Sequence, residues 1–271
     1  MLAAAAVKFK RGQNMILRRL GNKSQIATEI QKYFPQHKFY IEPFFGAGGM
    51  FFNKPKVKFN IVNDLDSDVF NLFQVVSNNK AELEEQMRIM PIHSDLLNYW
   101  KKTTETDPIK RALRFVFLSN FTFMGAGASL AIGDKNTKDI FYENLNKTTA
   151  FITDVQFANY DFRKFIKSLD RPINANGADS CFIYCDPPYL DTDDNYSNSF
   201  VEQDASDLFD CLVETGCKFA YSEFDHPFIL EQAEQRGLNV IVIGERQNLK
   251  NRRTEILVTN YKKPLSLFDG V

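Results

Sequence analysis

The chain has 271 residues, of which 44% are hydrophobic and 25% charged, and its formal net charge at pH 7 is −1. This is enough apolar material for one large domain or a core with an inserted module, and it excludes a uniform polycation. No apolar run approaches about 18 residues, which excludes a membrane span. The cysteines form no Cys-x-x-Cys pair and the three histidines are scattered, so neither a disulfide scaffold nor a metal site is predicted.

A first strand, predicted at 38–43, runs into a turn that contains Gly46 and Gly48. Glycines at the carboxyl end of a strand let the backbone pass close to a ligand. A second strand, predicted at 58–63, ends at Asp64, and an acidic residue about 20 positions after such a turn commonly takes ribose hydroxyls. Because the third glycine of a dinucleotide fingerprint is missing, the pattern favours a nucleoside-containing cofactor over NAD.

The middle of the chain differs from both ends. A helix is predicted at 66–77, helical segments from 81 to 118, and a glycine- and polar-rich stretch from 119 to 150 with turns at Gly125, Gly127 and 133–136. Further strands are predicted at 150–154, 181–185, 217–222, 238–243 and 255–261. The sequence therefore predicts an α/β domain formed by residues 15–78 and 151–271, an inserted module at 79–150, and a disordered extension at 1–14.

The most informative motif is Asp186-Pro187-Pro188-Tyr189, which follows the apolar run 181–185. Each proline fixes φ and removes an amide donor, and a residue before proline avoids helical backbone. The Pro187 carbonyl is therefore held in a rigid turn beside the Asp186 carboxylate, and two such acceptors suit a planar NH2 group. Tyr189 adds a face on which a flat ring can stack. The motif predicts a site for the amino group of a planar heterocycle.

These four residues also have a simpler interpretation, as a proline-rich turn in which Asp186 caps a helix. For the motif alone, the two interpretations are equally good. The glycine turn and Asp64 favour the ligand site, because ligands of open α/β sheets bind at the carboxyl ends of the strands.

In this order, the motifs resemble those of the Dam-type (D12 class) DNA adenine-N6 methyltransferases, and the resemblance covers most of the chain. It implies a Rossmann-like sheet, S-adenosylmethionine as methyl donor, and a mostly helical DNA-recognition module within 79–150. The implied reaction is methylation of N6 of an adenine that is flipped out of a specific sequence in double-stranded DNA. It further implies a monomer in the cytoplasm of a prokaryotic or virus-infected cell, with any cognate restriction endonuclease acting separately.

The resemblance also assigns roles to individual residues. It implies that Tyr189 stacks on the adenine, and that Asp186 and the Pro187 carbonyl accept hydrogen bonds from N6. The implied catalytic residues are Asp186, Pro187, Pro188 and Tyr189. For the cofactor, Asp64 is implied to take the ribose and Asp161 the adenine amino group. The implied cofactor-binding residues are Leu20, Gly21, Lys23, Glu42, Pro43, Phe44, Gly46, Gly48, Asp64, Asp161, Phe162 and Asp186.

Basic residues are clustered where DNA could be held. The segment 246–253, between the last two strands, is predicted to be a hairpin tip that contacts the phosphate backbone. A solvated charged face is the simpler interpretation of any single basic run. Asn pairs with adenine edges and Arg with guanine edges, which makes Asn120 and Arg114 candidates for base reading. The predicted DNA-binding residues are Arg114, Asn120, Lys250, Arg252 and Arg253.

One segment departs from the family's pattern. The family often carries G-x-x-R-x-N, then a glycine and a proline-glycine pair, whereas residues 119–130 here read SNFTFMGAGASL. The resemblance therefore predicts no particular recognised sequence.

Several other activities remain possible from the residues. The same motif, with a leading Asn or Asp, occurs in enzymes that methylate N4 of cytosine, RNA adenine or protein glutamine, and the long insertion argues against the last. Cytosine-C5 methylation would need a Pro-Cys turn, which the chain lacks. A non-catalytic DNA-binding subunit of the same fold is disfavoured by the intact Asp186 and glycine turn.

Overall fold

The computed structural model describes residues 15–17, 23–133, 136–191, 200–247 and 252–262, without the side chains of 246, 247 and 252. The predicted extension at 1–14 lies outside the described residues, as do Leu20, Gly21 and Lys250. No helix in the described part is long and apolar enough to cross a membrane. Within the same part, no group of three or more His, Cys, Asp or Glu side chains could hold a metal ion.

The strands of the structure are β1 (Phe39–Glu42), β2 (Phe59–Asn63), β3 (Val155–Ala158), β4 (Cys181–Cys185), β5 (Lys218–Phe224), β6 (Asn239–Gln247) and β7 (Arg252–Thr259). They form one sheet in the order β3-β2-β1-β4-β5-β7-β6. The first five are parallel, and β7 runs antiparallel to both of its neighbours. Every residue of β1 and β4 is buried, as expected for central strands covered on both faces. The predicted Rossmann-like α/β fold is confirmed.

The described residues form ten α-helices: α1 (Ala27–Gln31), α2 (Ser67–Asn78), α3 (Lys80–Ile89), α4 (Ser94–Lys102), α5 (Pro108–Asn120), α6 (Thr137–Ile152), α7 (Phe162–Ser168), α8 (Asp170–Asn176), α9 (Glu202–Glu214) and α10 (Pro227–Gln235). Apolar residues of α7, α9 and α10 share one buried cluster with β4 and β5. This packing holds the middle of the sheet, where β4 ends in the Asp186 motif.

The chain divides into two compact units. The sheet unit comprises Glu29–Gly46, Lys56–Phe73 and Asp154–Val271, and the helical unit comprises Met1–Thr28, Ala47–Pro55 and Gln74–Thr153. The helical unit therefore includes residues 15–28 and 47–55, which the sequence placed with the catalytic domain, and it extends from 74 to 153 instead of from 79 to 150. One reason is that Asn120 and Asn144, on α5 and α6, donate to the backbone carbonyls of Ile16 and Met15 at 2.7 and 2.8 Å.

One prediction for the middle of the chain was wrong. The strand expected at 150–154 lies mostly in the end of α6, and the next strand, β3, begins only at Val155. The glycine- and polar-rich stretch 119–150 is helical from Thr137 onward. The Asn136 side chain caps this helix by accepting from the backbone N–H of Asp139. Its buried residues Phe141, Leu145, Thr148 and Ile152 recur at helical spacing. That spacing outweighs the local preference of Thr and Phe for strands.

Candidate active site

Asn63, the last residue of β2, joins the loops that follow three strands. Its Nδ2 donates to the carbonyls of Pro43 and Tyr160, each at 3.0 Å, and its Oδ1 accepts from the Tyr160 N–H at 2.9 Å. Asn63 is buried, so these bonds form away from solvent. The loops after β1, β2 and β3 are thereby held together at one edge of the sheet. The sequence assigned no role to Asn63, although an Asn directly before an acidic residue at a strand end was visible.

The glycine turn after β1 is tied to Asp64. The Gly46 N–H donates to Asp64 Oδ2 at 2.5 Å, and the Asp66 N–H donates to Asp64 Oδ1 at 2.8 Å. Gly46 has φ of 54°, a left-handed conformation that favours glycine, and a Cβ added there would meet nothing within 4 Å. The turn is therefore fixed on one side and open on the other, beside the half-exposed Asp64 carboxylate.

Among the predicted cofactor residues, Glu42, Lys23 and Gly48 are buried. Glu42 is 2% exposed, and its Oε2 accepts from the Tyr40 hydroxyl at 2.7 Å. Burial, reinforced by the Glu42 charge, raises the pKa of Tyr40 well above its usual range, so this hydroxyl stays protonated. Lys23 and Gly48 are also buried and belong to the helical unit. Glu42 thus stiffens the end of β1 from within the sheet unit.

Asp161 and Phe162 follow β3, as the resemblance implied. Asp161 caps α7 through the Arg163 N–H and pairs with the Arg163 guanidinium at 3.3 Å, yet 45% of its side chain is exposed. Phe162 is only 5% exposed and packs beside the half-buried Phe44, with ring centroids 5.7 Å apart. The Arg163 guanidinium lies 4.3 Å from the centre of the Phe162 ring. At this position the structure therefore places an acidic group, paired with Arg163, next in the chain to a packed aromatic pair.

The Asp186 motif follows β4 at the same edge of the sheet. Pro187 is buried, whereas Asp186, Pro188 and Tyr189 are half-exposed. The motif begins no helix in the described residues, since the next described helix is α9, which starts at Glu202 after Val201. The interpretation of Asp186 as a helix cap is wrong.

The Tyr189 hydroxyl has partners that the sequence did not predict. It donates to Glu255 Oε1 at 2.5 Å and lies 3.3 Å from Ser222 Oγ. The Tyr189 ring meets the Phe224 ring edge to face, with centroids 4.7 Å apart. Burial, followed by the charges of Asp186 and Glu255, raises the pKa of Tyr189 well above its usual value of 10. The hydroxyl therefore remains a hydrogen-bond donor at any ordinary assay pH.

The predicted basic hairpin lies next to this motif. Strands β6 and β7 pair Arg246 with Arg253, and the tip between them, with Lys250, is outside the described residues. The Arg253 guanidinium lies 5.4 Å from the centre of the Phe224 ring, which itself packs on Tyr189. Arg253 is thus placed near the Asp186 motif.

The two proposed base readers have structural contacts. Asn120 is 7% exposed, its Nδ2 donates to the Ile16 carbonyl, and its Oδ1 accepts from Ser119 Oγ at 3.2 Å. Because the Asn120 amide is buried and hydrogen-bonded, it is not available to a base edge. In the structure Asn120 instead fixes the Ile16 backbone to α5. Arg114 is half-buried, and its Nε donates to the Trp100 carbonyl at 2.9 Å, which fixes α5 against α4.

The loop after α5 exposes other residues. Thr122 pairs with Leu130, and the Phe123 N–H donates to the Ser129 carbonyl at 2.8 Å, so the loop is a short closed turn. In this turn Phe123 is 63% exposed, and Met124 has a left-handed φ of 56°, uncommon for a residue other than glycine. An aromatic ring that faces solvent on a closed turn is the signal that the sequence reasoning missed.

Comparisons with known proteins agree with this geometry. The model of the D12 class N6 adenine-specific DNA methyltransferases matches residues 20–253. The DNA adenine methylase of Escherichia coli (strain K12) is 26% identical over 242 residues, which cover 82% of this chain and 85% of that protein. The Type II methyltransferase M1.LlaDCHI of Lactococcus lactis subsp. cremoris is 23% identical over 273 residues, covering 89% and 93%. The Type II methyltransferase M.MjaIII of Methanocaldococcus jannaschii is 25% identical over 289 residues, covering 89% and 96%.

The family model spans most of the chain and includes the glycine turn, Asp64 and the Asp186 motif. The family resemblance predicted from those motifs is confirmed. The chain belongs to the D12 class N6 adenine-specific DNA methyltransferase family.

Proposed function

We propose that this enzyme transfers a methyl group from S-adenosylmethionine to N6 of adenine within a specific sequence of duplex DNA. One observation carries the proposal: the Gly46–Asp64 turn and the Asp186 motif lie at the same edge of the sheet. At that edge the Tyr189 ring is held by its hydrogen bond to Glu255. The family assignment supports adenine over cytosine as the target base.

The residues of the sheet unit fit S-adenosylmethionine. The open side of the Gly46 turn leaves room for a ligand against the backbone, and the half-exposed Asp64 carboxylate suits ribose hydroxyls. The exposed part of Asp161 suits an adenine amino group, with Phe44 and Phe162 as the apolar wall beside it. When bound, S-adenosylmethionine supplies an electrophilic methyl group.

The Asp186 motif then acts on the target base. A base within a duplex is out of reach, so the adenine must be flipped out of the stack. Tyr189 stacks on the flipped base, while Asp186 and the Pro187 carbonyl accept hydrogen bonds from N6. These bonds direct the nitrogen lone pair, otherwise delocalised into the ring, towards the methyl group. Positioning and electrostatic stabilisation therefore provide most of the catalysis.

The test is transfer of a tritiated methyl group to duplex DNA, followed by separation of the nucleosides. Label in N6-methyladenine is expected. Label in N4-methylcytosine would overturn the choice of base, and no label in DNA would contradict the activity. Long-read sequencing of DNA from cells that express the chain would identify the methylated sequence for all later assays.

DNA affinity is expected to depend on salt through the β6–β7 hairpin. Changing Arg252 and Arg253 together to alanine should lower the slope of log affinity against log salt by roughly one for each phosphate that the protein no longer neutralises. The measurement is fluorescence anisotropy of labelled duplex over a range of salt concentrations. An unchanged slope would show that this hairpin does not touch the backbone.

A matched control removes two positive charges elsewhere in the sheet unit. Lys167 and Arg171 are exposed on α7 and α8, and α8 leads into the start of β4, at the opposite edge of the sheet from Asp186. Changing Lys167 and Arg171 to alanine should therefore leave the salt slope unchanged.

Phe123 is the residue of the helical unit that we propose contacts DNA in place of Asn120. Exposed apolar side chains of this kind can insert beside bases. Phe123→Ala should weaken DNA binding by about 1 kcal/mol, at the lower end of the range for aromatic stacking on a base. Because Phe123 carries no charge, the salt slope should not change. The control is Val213→Ala on α9, which also removes an exposed apolar side chain; equal affinities of the two variants would contradict the proposal.

A further inference from the structure

Two buried carboxylates lie behind the catalytic motif. Glu223 on β5 and Glu255 on β7 are both fully buried. Removing a carboxylate from water is costly unless hydrogen bonds compensate it. The hydrogen-bond donors to Glu223 and Glu255 therefore show which groups these carboxylates fix in place.

Glu255 gathers two hydroxyl groups. Its Oε1 accepts from Tyr189 at 2.5 Å and from Ser222 Oγ at 2.7 Å, and these two hydroxyls lie 3.3 Å apart. The pairing of β5 with β7 places Phe224 directly opposite Glu255, so Ser222, Phe224 and Glu255 share one face of the sheet. Tyr189 is anchored to that face from the end of β4.

The rest of the loop is restrained in the same way. Glu223 Oε1 accepts from the Phe224 N–H at 2.8 Å, and its Oε2 accepts from the Leu190 N–H at 3.3 Å. The Phe224 ring packs perpendicular to the Tyr189 ring, with an interplanar angle of 84°. Tyr189 is thus contacted at its ring by Phe224 and at its hydroxyl by Glu255, and the backbone of the next residue is held by Glu223.

We propose that Glu255 is a positioning residue, which holds the Tyr189 ring in the orientation that stacks on the flipped adenine before that base arrives. The proposal rests on the proposed role of Tyr189 in base capture. A tyrosine ring has two rotatable side-chain bonds. The hydrogen bond from its hydroxyl to Glu255 restricts the first, and the perpendicular Phe224 ring packed against it restricts rotation about the second. Fixing the ring in advance removes an ordering cost from the step that captures the base.

This inference changes the expected behaviour of Tyr189→Phe. If only the face of the ring mattered, that change would be mild. With Glu255 as the anchor, Tyr189→Phe and Glu255→Leu should each lower kcat by about tenfold, comparable to the loss of one hydrogen bond to a charged group. Glu255→Gln keeps an acceptor oxygen and should restore part of the loss. The dissociation constants for duplex DNA and S-adenosylmethionine should not change, because neither contact is altered.

The decisive experiment is a double-mutant cycle in the full chain. Methyl transfer to the identified duplex is measured for Tyr189→Phe, Glu255→Leu and the double variant. If Glu255 acts through Tyr189, the double variant should be no slower than either single variant. Losses that multiply to about a hundredfold, or a Tyr189→Phe variant with wild-type kcat, would overturn the proposal. If Glu255→Leu does not fold, the Tyr189→Phe result alone decides.

Tyr221→Phe is the matched control. The Tyr221 hydroxyl is buried in β5 and has no hydrogen-bond partner among the described residues. Removing it should leave kcat unchanged, which separates the loss of the anchored hydroxyl from the loss of any buried tyrosine hydroxyl. Wild-type enzyme that labels no adenine would contradict the proposed function itself, and is thus distinguishable from failure of the Glu255 proposal.

Discussion

Replacing Asp186 by alanine is expected to lower kcat for methyl transfer by about 10²–10³, the usual loss when an electrostatic contact of the transition state is removed. The reason is that the Asp186 carboxylate is proposed to accept from N6 as positive charge develops on that nitrogen. S-adenosylmethionine affinity should change little, because the proposed anchors Asp64 and Asp161 follow other strands. Tritiated-methyl transfer gives the rate, and calorimetric titration gives the affinity.

Two further variants sharpen this test. Asp186→Asn keeps an acceptor oxygen without the charge, so its rate should fall between those of wild type and Asp186→Ala. Asp225→Ala removes an exposed carboxylate that directly follows β5 at the same edge of the sheet, and it should leave kcat near the wild-type value. Near-normal activity in Asp186→Ala would refute the proposed mechanism.

Replacing Asp64 by alanine is expected to weaken S-adenosylmethionine binding by about 1.5–3 kcal/mol, or roughly 10–150-fold, the range for a hydrogen bond to a charged group. Two losses contribute. The ribose hydroxyls lose an acceptor, and the Gly46 N–H loses the carboxylate that fixes its left-handed turn. Calorimetric titration measures the affinity, and an unchanged value would remove Asp64 from the cofactor site.

The neighbouring Asp66 provides the control. Asp66 lies directly before α2, and its Oδ1 accepts from the N–H of Asp68, in the first turn of that helix, at 2.9 Å. Asp66→Ala should therefore cost about 1 kcal/mol in the free energy of unfolding, as for loss of a helix cap. It should leave cofactor affinity unchanged, whereas Asp64→Asn should bind with an affinity between wild type and Asp64→Ala.

The sheet and the principal motifs were predictable because their signals are local. An apolar run followed by Asp186-Pro187-Pro188-Tyr189 specifies a buried strand and a rigid turn within a few consecutive residues. The glycine turn at Gly46 and the acidic residue Asp64 are equally local. Parallel pairing then brings such strand ends to one edge, which is why the general location of the site followed from the sequence.

The segment from 119 to 153 was less predictable because its local signals conflict. The residue types from Thr148 to Ile152 favour a strand. Their buried side chains, however, continue the helical spacing of α6, which starts at Thr137. Asn120 shows the same limit in a side chain. The pairing of asparagine with adenine edges suggested base reading, but in the folded chain the Asn120 amide donates to the Ile16 carbonyl.

What the sequence by itself determined is the chemistry of the site: a carboxylate, a rigid carbonyl and an aromatic face after one strand, and a glycine turn with an acidic partner on two others. Tertiary structure decided how those groups are held. The last strand, β7, lies between β5 and β6, which places Glu255 beside a tyrosine 66 residues earlier in the chain. Such a contact depends on the order of strands in the finished sheet, and no local pattern of residues specifies that order.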